Sequence, residues 1–203
     1  MADIAVTAPV DDHEALHSTT GLSNNKLAMW LFLASECLLF GGLISTYMLY
    51  RGRVSRGPRP ENIYDIPFTS VSSFVLLMSS LTMVLAVSAA HRGEWHRART
   101  WLVTTAMLGS TFVGAQVYEF TTFYKAGLGY TTSLFGSSFY TLTGFHGVHV
   151  SVGVIMLMAL VFITLRGKVP GDRAEVIELI GLYWHFVDIV WIVIFTLVYL
   201  IPA

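Results

Sequence analysis

The sequence predicts an all-α polytopic membrane protein, a bundle of five transmembrane helices. Of its 203 residues, 54% are hydrophobic and only 12% are charged, whereas soluble domains carry about 25% charged residues. Five segments almost free of charge are long enough for the roughly 20 apolar residues that one crossing needs. Backbone polar groups must be paired internally in hydrocarbon, so each segment should be a helix.

The predicted elements follow a polar start. Residues 1–25 form an acidic, polar tail that lacks the basic start and apolar middle of a signal peptide, so the first span should act as the insertion signal. The connectors carry charged residues, Gly and Pro, which are typical of loops. Without an internal repeat, residues 26–203 should form one domain. Its spans are residues 27–50, 67–90, 100–123, 138–165 and 177–201.

The positive charges at the span ends favour a cytoplasmic amino terminus and a carboxyl terminus outside. In that orientation seven Lys and Arg residues lie inside and five outside, and the positive-inside rule prefers the larger number inside. Four arginines in the first connector oppose this assignment. The net charge of −1 argues against a nucleic-acid partner, which would favour a basic surface.

The fifth span is unusual because His185 and Asp188 lie within its apolar run. Residues three or four apart share one helix face, so Trp184, Asp188 and Trp191 should form one stripe. An acid at the centre of a membrane helix costs roughly 2.5–3.5 kcal/mol on insertion scales. We therefore expect this stripe to face protein and Asp188 to have a polar partner.

The first span carries a second acid, Glu36, roughly 14 Å along the helix axis and so near mid-membrane. Two interpretations remain open: a carboxyl that takes up and releases a proton, or a protonated acid hydrogen-bonded between helices. One turn further on, Gly41 and Gly42 should let another backbone approach closely.

The histidines of the fourth span raise the question of a metal. His146 and His149 lie on one helix face and could join His185 and Asp188 in a bundle site. However, no Glu-x-x-His occurs within the spans, and one cysteine, Cys37, cannot form a dinuclear copper site. Haem ligation would use up all three membrane histidines. We predict no metal, and an intramembrane polar network of Glu119, His146, His149, His185 and Asp188.

Four of the five spans carry motifs that resemble subunit III of the haem–copper terminal oxidases (the cytochrome c oxidase subunit 3 family) in its short five-helix bacterial form. The motifs are Ser35-Glu-Cys-Leu-Leu-Phe, Gln116-Val-Tyr-Glu-Phe, Phe135-Gly-Ser-Ser-Phe-Tyr with Thr143-Gly-Phe-His-Gly-Val-His-Val, and Tyr183-Trp-His-Phe-Val-Asp-Ile-Val-Trp.

The resemblance implies a non-redox subunit of a proton-pumping oxidase that reduces oxygen to water in a bacterial inner membrane. It would pack on the catalytic subunit I, beside subunit II, bind phospholipid, support proton uptake and prevent inactivation during turnover. Partner subunits would hold a-type haems and copper, and cytochrome c would donate electrons.

The resemblance also assigns roles to individual residues. Glu36 matches a carboxyl that reacts with hydrophobic carbodiimides. Arg166 falls close to a lipid-contacting position, and with Lys168 it is a head-group candidate, although ordinary interfacial anchoring is the alternative. The first span matches the family's third helix, so lipid sites on the two missing helices cannot be transferred.

Several alternatives remain. The same fold occurs beside quinol-oxidising oxidases and nitric oxide reductases, and Val187 with Ile189 favours the cytochrome c-linked group. A proton-coupled transporter using Glu36 and Asp188 would more often show repeat symmetry and broken spans, and neither is visible in the sequence.

Overall fold

A computed structural model describes residues 23–52, 64–166 and 173–201, with five α-helices and a short π-helical turn. Most of the predicted polar tail, residues 1–22, lies outside the described residues, as does Lys168. The helices are α1 Asn24–Tyr50, α2 Ile66–His91, α3 Trp95–Lys125, α4 Leu134–Leu165 and α5 Arg173–Phe195, which continues into the π-helical turn Thr196–Leu200.

The predicted all-α bundle is confirmed. Four of the described helices are long and apolar enough to cross a membrane, namely α1, α2, α4 and α5 with its π-helical turn. Helix α3 is 31 residues long and begins five residues before the predicted span, with a polar first turn. Its hydroxyl side chains, Gln116 and Glu119 make it less apolar, and it packs between α2 and α4.

Local sequence fixes the helix ends. Ser23, Asp65 and Ser133 cap the amino ends of α1, α2 and α4 by accepting hydrogen bonds from backbone N–H groups three residues later, as N-cap residues do. Between α2 and α3, Gly93 has a φ of 74°, which glycine adopts without strain. Hydrogen bonds from Arg97 and Arg92 lower the pKa of the Glu94 carboxyl in this turn.

Polar contacts tie the helices together at both ends of the bundle. At the Lys26 end, where α1 begins, Lys26 Nζ lies 2.9 Å from Glu178 Oε1 of α5, and the Ser23 hydroxyl donates to Glu175. At the opposite, Arg51 end, the buried Arg51 guanidinium donates to the carbonyl of Ile201. A cation there also complements the partial negative charge of a helix carboxyl end.

Trp184 of α5 is the residue at which α2, α3 and α4 meet α5. A Cβ added at Gly109 of α3 would lie 2.4 Å from Trp184 Cη2, and one added at Gly153 of α4 would lie 2.8 Å from Cε3. The indole Nε1–H donates to Ser79 Oγ of α2 at 3.0 Å. The ring therefore fills a slot that exists only because both positions lack a side chain.

A row of hydroxyl groups on α2 binds the inward face of α5. Ser73 Oγ accepts from Trp191 Nε1 at 2.8 Å, and Ser80 Oγ lies 2.7 Å from His185 Nδ1. Increasing residue numbers on α2 meet decreasing numbers on α5, so the two helices are antiparallel. Trp184, Asp188 and Trp191 are all buried, which confirms the predicted protein-facing stripe.

We predict that Gly109→Ala destabilises the bundle by about 1–3 kcal/mol, since its Cβ would overlap the Trp184 ring and overpacked cores cost that amount. The matched control is Gly114→Ala on the same helix, where an added Cβ meets no atom within 4 Å. The measurement is equilibrium unfolding in mixed micelles of mild and denaturing detergent. Equal unfolding midpoints for Gly109→Ala and Gly114→Ala would contradict the conclusion that Gly109 makes room for the Trp184 ring.

Candidate functional site

Glu36 and His149 form a carboxyl–imidazole pair between α1 and α4. Glu36 Oε2 lies 3.1 Å from His149 Nε2, and the two side chains are 14% and 15% exposed. The sequence identified both residues but did not pair them, because they are far apart in the chain. The partner of the mid-span carboxyl is therefore an imidazole of another helix.

The hydrogen bonds of His149 define what this pair can do with a proton. His149 Nδ1 lies 2.7 Å from the carbonyl oxygen of Phe145, and a carbonyl can only accept, so Nδ1 carries a hydrogen. Nε2 then either accepts a proton from the neutral Glu36 acid or donates one to its carboxylate. In both arrangements one hydrogen lies between the two side chains, so it can move from one to the other without a change of side-chain position.

Aromatic groups hold the imidazole in place beside an open groove. The Phe40 ring meets the His149 ring edge-to-face at 5.1 Å between centroids, and the Tyr183 hydroxyl donates to the His149 backbone carbonyl at 3.0 Å. An apolar groove of about 250 Å³ passes the imidazole. The groove is lined by Met29, Phe32, Val148, His149, Val152, Met156 and Tyr183.

The close backbone approach expected at Gly41 and Gly42 does not occur among the described residues. A Cβ added at either position would meet no atom within 4 Å. Cys37, on the same helix, is also exposed. Small residues on α1 therefore face outwards from this chain instead of inwards.

Asp188 lies in a second polar group, between α5 and α2. Its side chain is 2% exposed, and neither carboxyl oxygen makes a hydrogen bond of regular geometry within the described residues. Ser80, whose hydroxyl contacts His185 Nδ1, is the polar side chain that interacts with the carboxyl. The polar partner that the sequence predicts for Asp188 is thus the Ser80 hydroxyl, which His185 also contacts.

The intramembrane network predicted from the sequence is divided into separate groups. Glu119 accepts from the Thr69 hydroxyl at 2.6 Å and interacts with Tyr199. His146 is fully buried between aromatic rings and donates from Nε2 to the Val187 carbonyl at 3.2 Å. The groups remain separate because the residues lie at different depths and face different neighbouring helices.

The described residues contain no group of three or more His, Cys, Asp or Glu side chains placed to hold a metal ion. His13-Glu-Ala-Leu-His17 in the tail does have the His-Glu-x-x-His spacing, but it lies outside the described residues. Such a short match is weak evidence for a metal site by itself. The absence of a metal from this chain stays a prediction.

Of the two candidate residues for binding lipid head groups, the structure describes Arg166. Arg166 follows the last residue of α4, is exposed, and places its guanidinium carbon 4.1 Å from the centroid of the Phe162 ring. That position leaves its charge at the Lys26 end of the bundle. Lys168 is not among the described residues.

Sequence reasoning missed the hydroxyl row of α2 and the two glycines around Trp184. The available signal was Ser73, Ser79 and Ser80 at spacings of six and seven residues, which places them on one side of an apolar helix. Without knowing that α5 packs there, these hydroxyls are indistinguishable from those that bond their own helix backbone.

Comparisons with known proteins agree with the motifs. The family model described as Cytochrome c oxidase subunit III matches residues 1–202. The chain is 39% identical over 193 residues to "Cytochrome bo(3) ubiquinol oxidase subunit 3" of Pseudomonas aeruginosa, covering 95% of this chain and 91% of the relative. It is 37% identical over 177 residues to "Cytochrome c oxidase subunit 3" of Bacillus sp. strain PS3, covering 87% and 86%.

A third relative, "Quinol oxidase subunit 3" of Bacillus subtilis, is 36% identical over 177 residues, again covering 87% of this chain and 86% of the relative. Relatives named for either electron donor thus match this chain at similar levels. With a family model that covers nearly every residue, the chain belongs to the cytochrome c oxidase subunit III family.

Proposed function

We propose that this chain is a non-redox supporting subunit of a proton-pumping terminal oxidase that reduces oxygen to water. Membership of the subunit III family, together with the one-proton pair Glu36–His149, supports this role. The a-type haems and copper would belong to subunits I and II, and the chain would pack directly on subunit I. The complex would lie in a bacterial inner membrane, with the amino terminus of this chain cytoplasmic.

The Glu36–His149 pair is proposed to buffer protons near the site where subunit I takes them up. Its shared proton can move between carboxyl and imidazole without a change of side-chain position. The resemblance of Glu36 to a carbodiimide-reactive acid would need this carboxyl to be reachable from an apolar phase. The apolar groove that passes its partner His149 is the proposed route.

That groove is also the proposed site of a phospholipid acyl chain. Its walls are apolar apart from His149 and the Tyr183 hydroxyl, and Met29 and Met156 lie towards the Lys26 end of the bundle. Arg166 follows α4 at the same end, so its guanidinium is placed for a head-group phosphate. Lys168 would add a second cation.

Helix α1 is the proposed contact with a partner subunit. In its apolar stretch 11% of the residues are buried, against 44% in the stretches of α2 and of α5 with its π-helical turn. A Cβ added at Gly41 or Gly42 of this helix would meet no atom of the described chain within 4 Å. Small residues are enriched where membrane helices pack closely.

The electron donor is proposed to be cytochrome c, as the resemblance implies, with a quinol as the alternative because the relatives include both kinds of oxidase.

We expect the chain, purified in mild detergent, to bring with it haem-containing subunits. Absorbance of a-type haem with a copper-containing partner would identify the cytochrome c-linked oxidase, and b-type with o-type haem the quinol oxidase. Purification without any haem protein would contradict the proposed function.

We predict that Glu36→Ala leaves the haem content and the initial turnover rate of the oxidase unchanged but shortens its active lifetime, because the variant loses the one-proton pair. The measurement is oxygen consumption followed until activity decays. Ser35→Ala is the matched control, since its exposed hydroxyl bonds only its own helix at Phe32. A wild-type lifetime for Glu36→Ala would remove the pair from the mechanism.

We also predict that Gly41→Leu with Gly42→Leu releases this chain from the complex, since leucines would hold a partner helix away. Gly114→Leu on α3, where an added Cβ also meets open space, should leave assembly intact. Co-purification with the haem-containing subunits measures both. Full retention in the Gly41/Gly42 double variant would exclude this face of α1 as the contact.

A further inference from the structure

Glu178, Gly181, His185 and Asp188 lie along one face of α5. Their spacings of three, four and three residues place them in one row on a helix. Glu178 stands at the Lys26 end of the bundle with a side chain 29% exposed, whereas Asp188 is buried. The row therefore runs from the surface of the protein to its interior, on the side of α5 that faces α2.

An open groove follows the outer half of this row. It has a volume of about 230 Å³ and is lined by Val84, Val87, Ser88, Glu178, Gly181, Leu182 and His185. Gly181 keeps it open, because an added Cβ would already lie 3.2 Å from Met83 Cε and from Val87 Cγ2. The groove thus joins Glu178 at the surface to His185 inside.

Polar groups continue the path beyond the groove. His185 Nδ1 lies 2.7 Å from Ser80 Oγ, and Ser80 also interacts with Asp188. A hydroxyl both donates and accepts, so Ser80 can pass a proton between the two. Neither oxygen of Asp188 makes a hydrogen bond of regular geometry within the described residues, which leaves both free to accept it.

We propose that Asp188 is a proton-accepting site, loaded from the Lys26 end of the bundle through the α2–α5 groove, His185 and Ser80. A proton binds His185 Nε2, His185 passes its Nδ1 proton to Ser80 Oγ, and the Ser80 hydroxyl passes its own proton to the Asp188 carboxylate, so His185 and Ser80 both end neutral. One proton enters, one carboxylate becomes a carboxylic acid, and no electron moves. The site is separate from the Glu36–His149 pair, which lies between α1 and α4, and goes beyond the supporting role proposed above.

The charged groups around this path are accounted for on each neighbouring helix. At the entrance, Lys26 of α1 and His91 of α2 lie 2.9 and 3.7 Å from the Glu178 carboxyl oxygens. The other acids and histidines of the described spans are engaged elsewhere. Those groups are His149 with Glu36, His146 with the Val187 carbonyl, and Glu119 with Thr69.

Infrared difference spectroscopy of the purified oxidase complex, in response to a pH step, tests this proposal. The carbonyl stretch of a protonated carboxylic acid should include a component that Asp188→Asn removes and Glu36→Gln retains. In heavy water this component should shift as the acid exchanges its proton. An unchanged spectrum in Asp188→Asn would show that Asp188 does not bind the proton.

The rate at which the Asp188 carboxylic acid exchanges its proton in heavy water tests the path. The variants for this test keep Asp188, so they can be measured even if Asp188→Asn fails to assemble. Ser80→Ala removes the relay, and Gly181→Leu fills the groove. Each should slow exchange about tenfold or more, since a positioned proton carrier contributes on the order of 10²- to 10⁴-fold. Gly114→Leu is the control and should exchange at the wild-type rate. Wild-type exchange in both path variants would overturn the proposal.

Discussion

The insertion of Trp184 between Gly109 and Gly153 is the constraint on which the arrangement of the bundle depends. Lipid tails are as apolar as most side chains, so packing and hydrogen bonds, not exclusion from water, hold membrane helices together. Trp184 supplies both, since its ring meets α3 and α4 and its N–H meets Ser79 of α2. This contact fixes the rotation of α5, and with it the direction in which every other residue of that helix points.

Once α5 is fixed, the two polar sites take their places on different sides of the bundle. Tyr183, next to Trp184, reaches α4 and bonds the backbone at His149, beside the pair with Glu36. His185, the following residue, points towards α2 and bonds Ser80. The two residues that flank Trp184 therefore each support one of the two polar sites, and each site lies beside its own groove.

The sequence could predict what depends on periodicity and composition. The spans follow from hydropathy, and the buried stripe of α5 follows from the spacing of Trp184, Asp188 and Trp191. Pairing between helices could not be predicted, because Glu36 meets His149 only if α1 and α4 are neighbours. Gly41 and Gly42 show a further limit: small residues indicate a close helix contact, but not whether the partner belongs to the same chain.

Asp188 is difficult to explain as a structural residue. The face of α5 that carries it is already held by two indole–serine hydrogen bonds, from Trp184 and Trp191. The Asp188 carboxyl has no regular hydrogen bond of its own in the described part of the chain, so it adds little to helix association. An acid at this depth still costs roughly 2.5–3.5 kcal/mol to insert. The proposed reversible protonation would give that cost a function, because a buried acid reached by a histidine and a hydroxyl can hold a proton that an apolar residue of the same size could not.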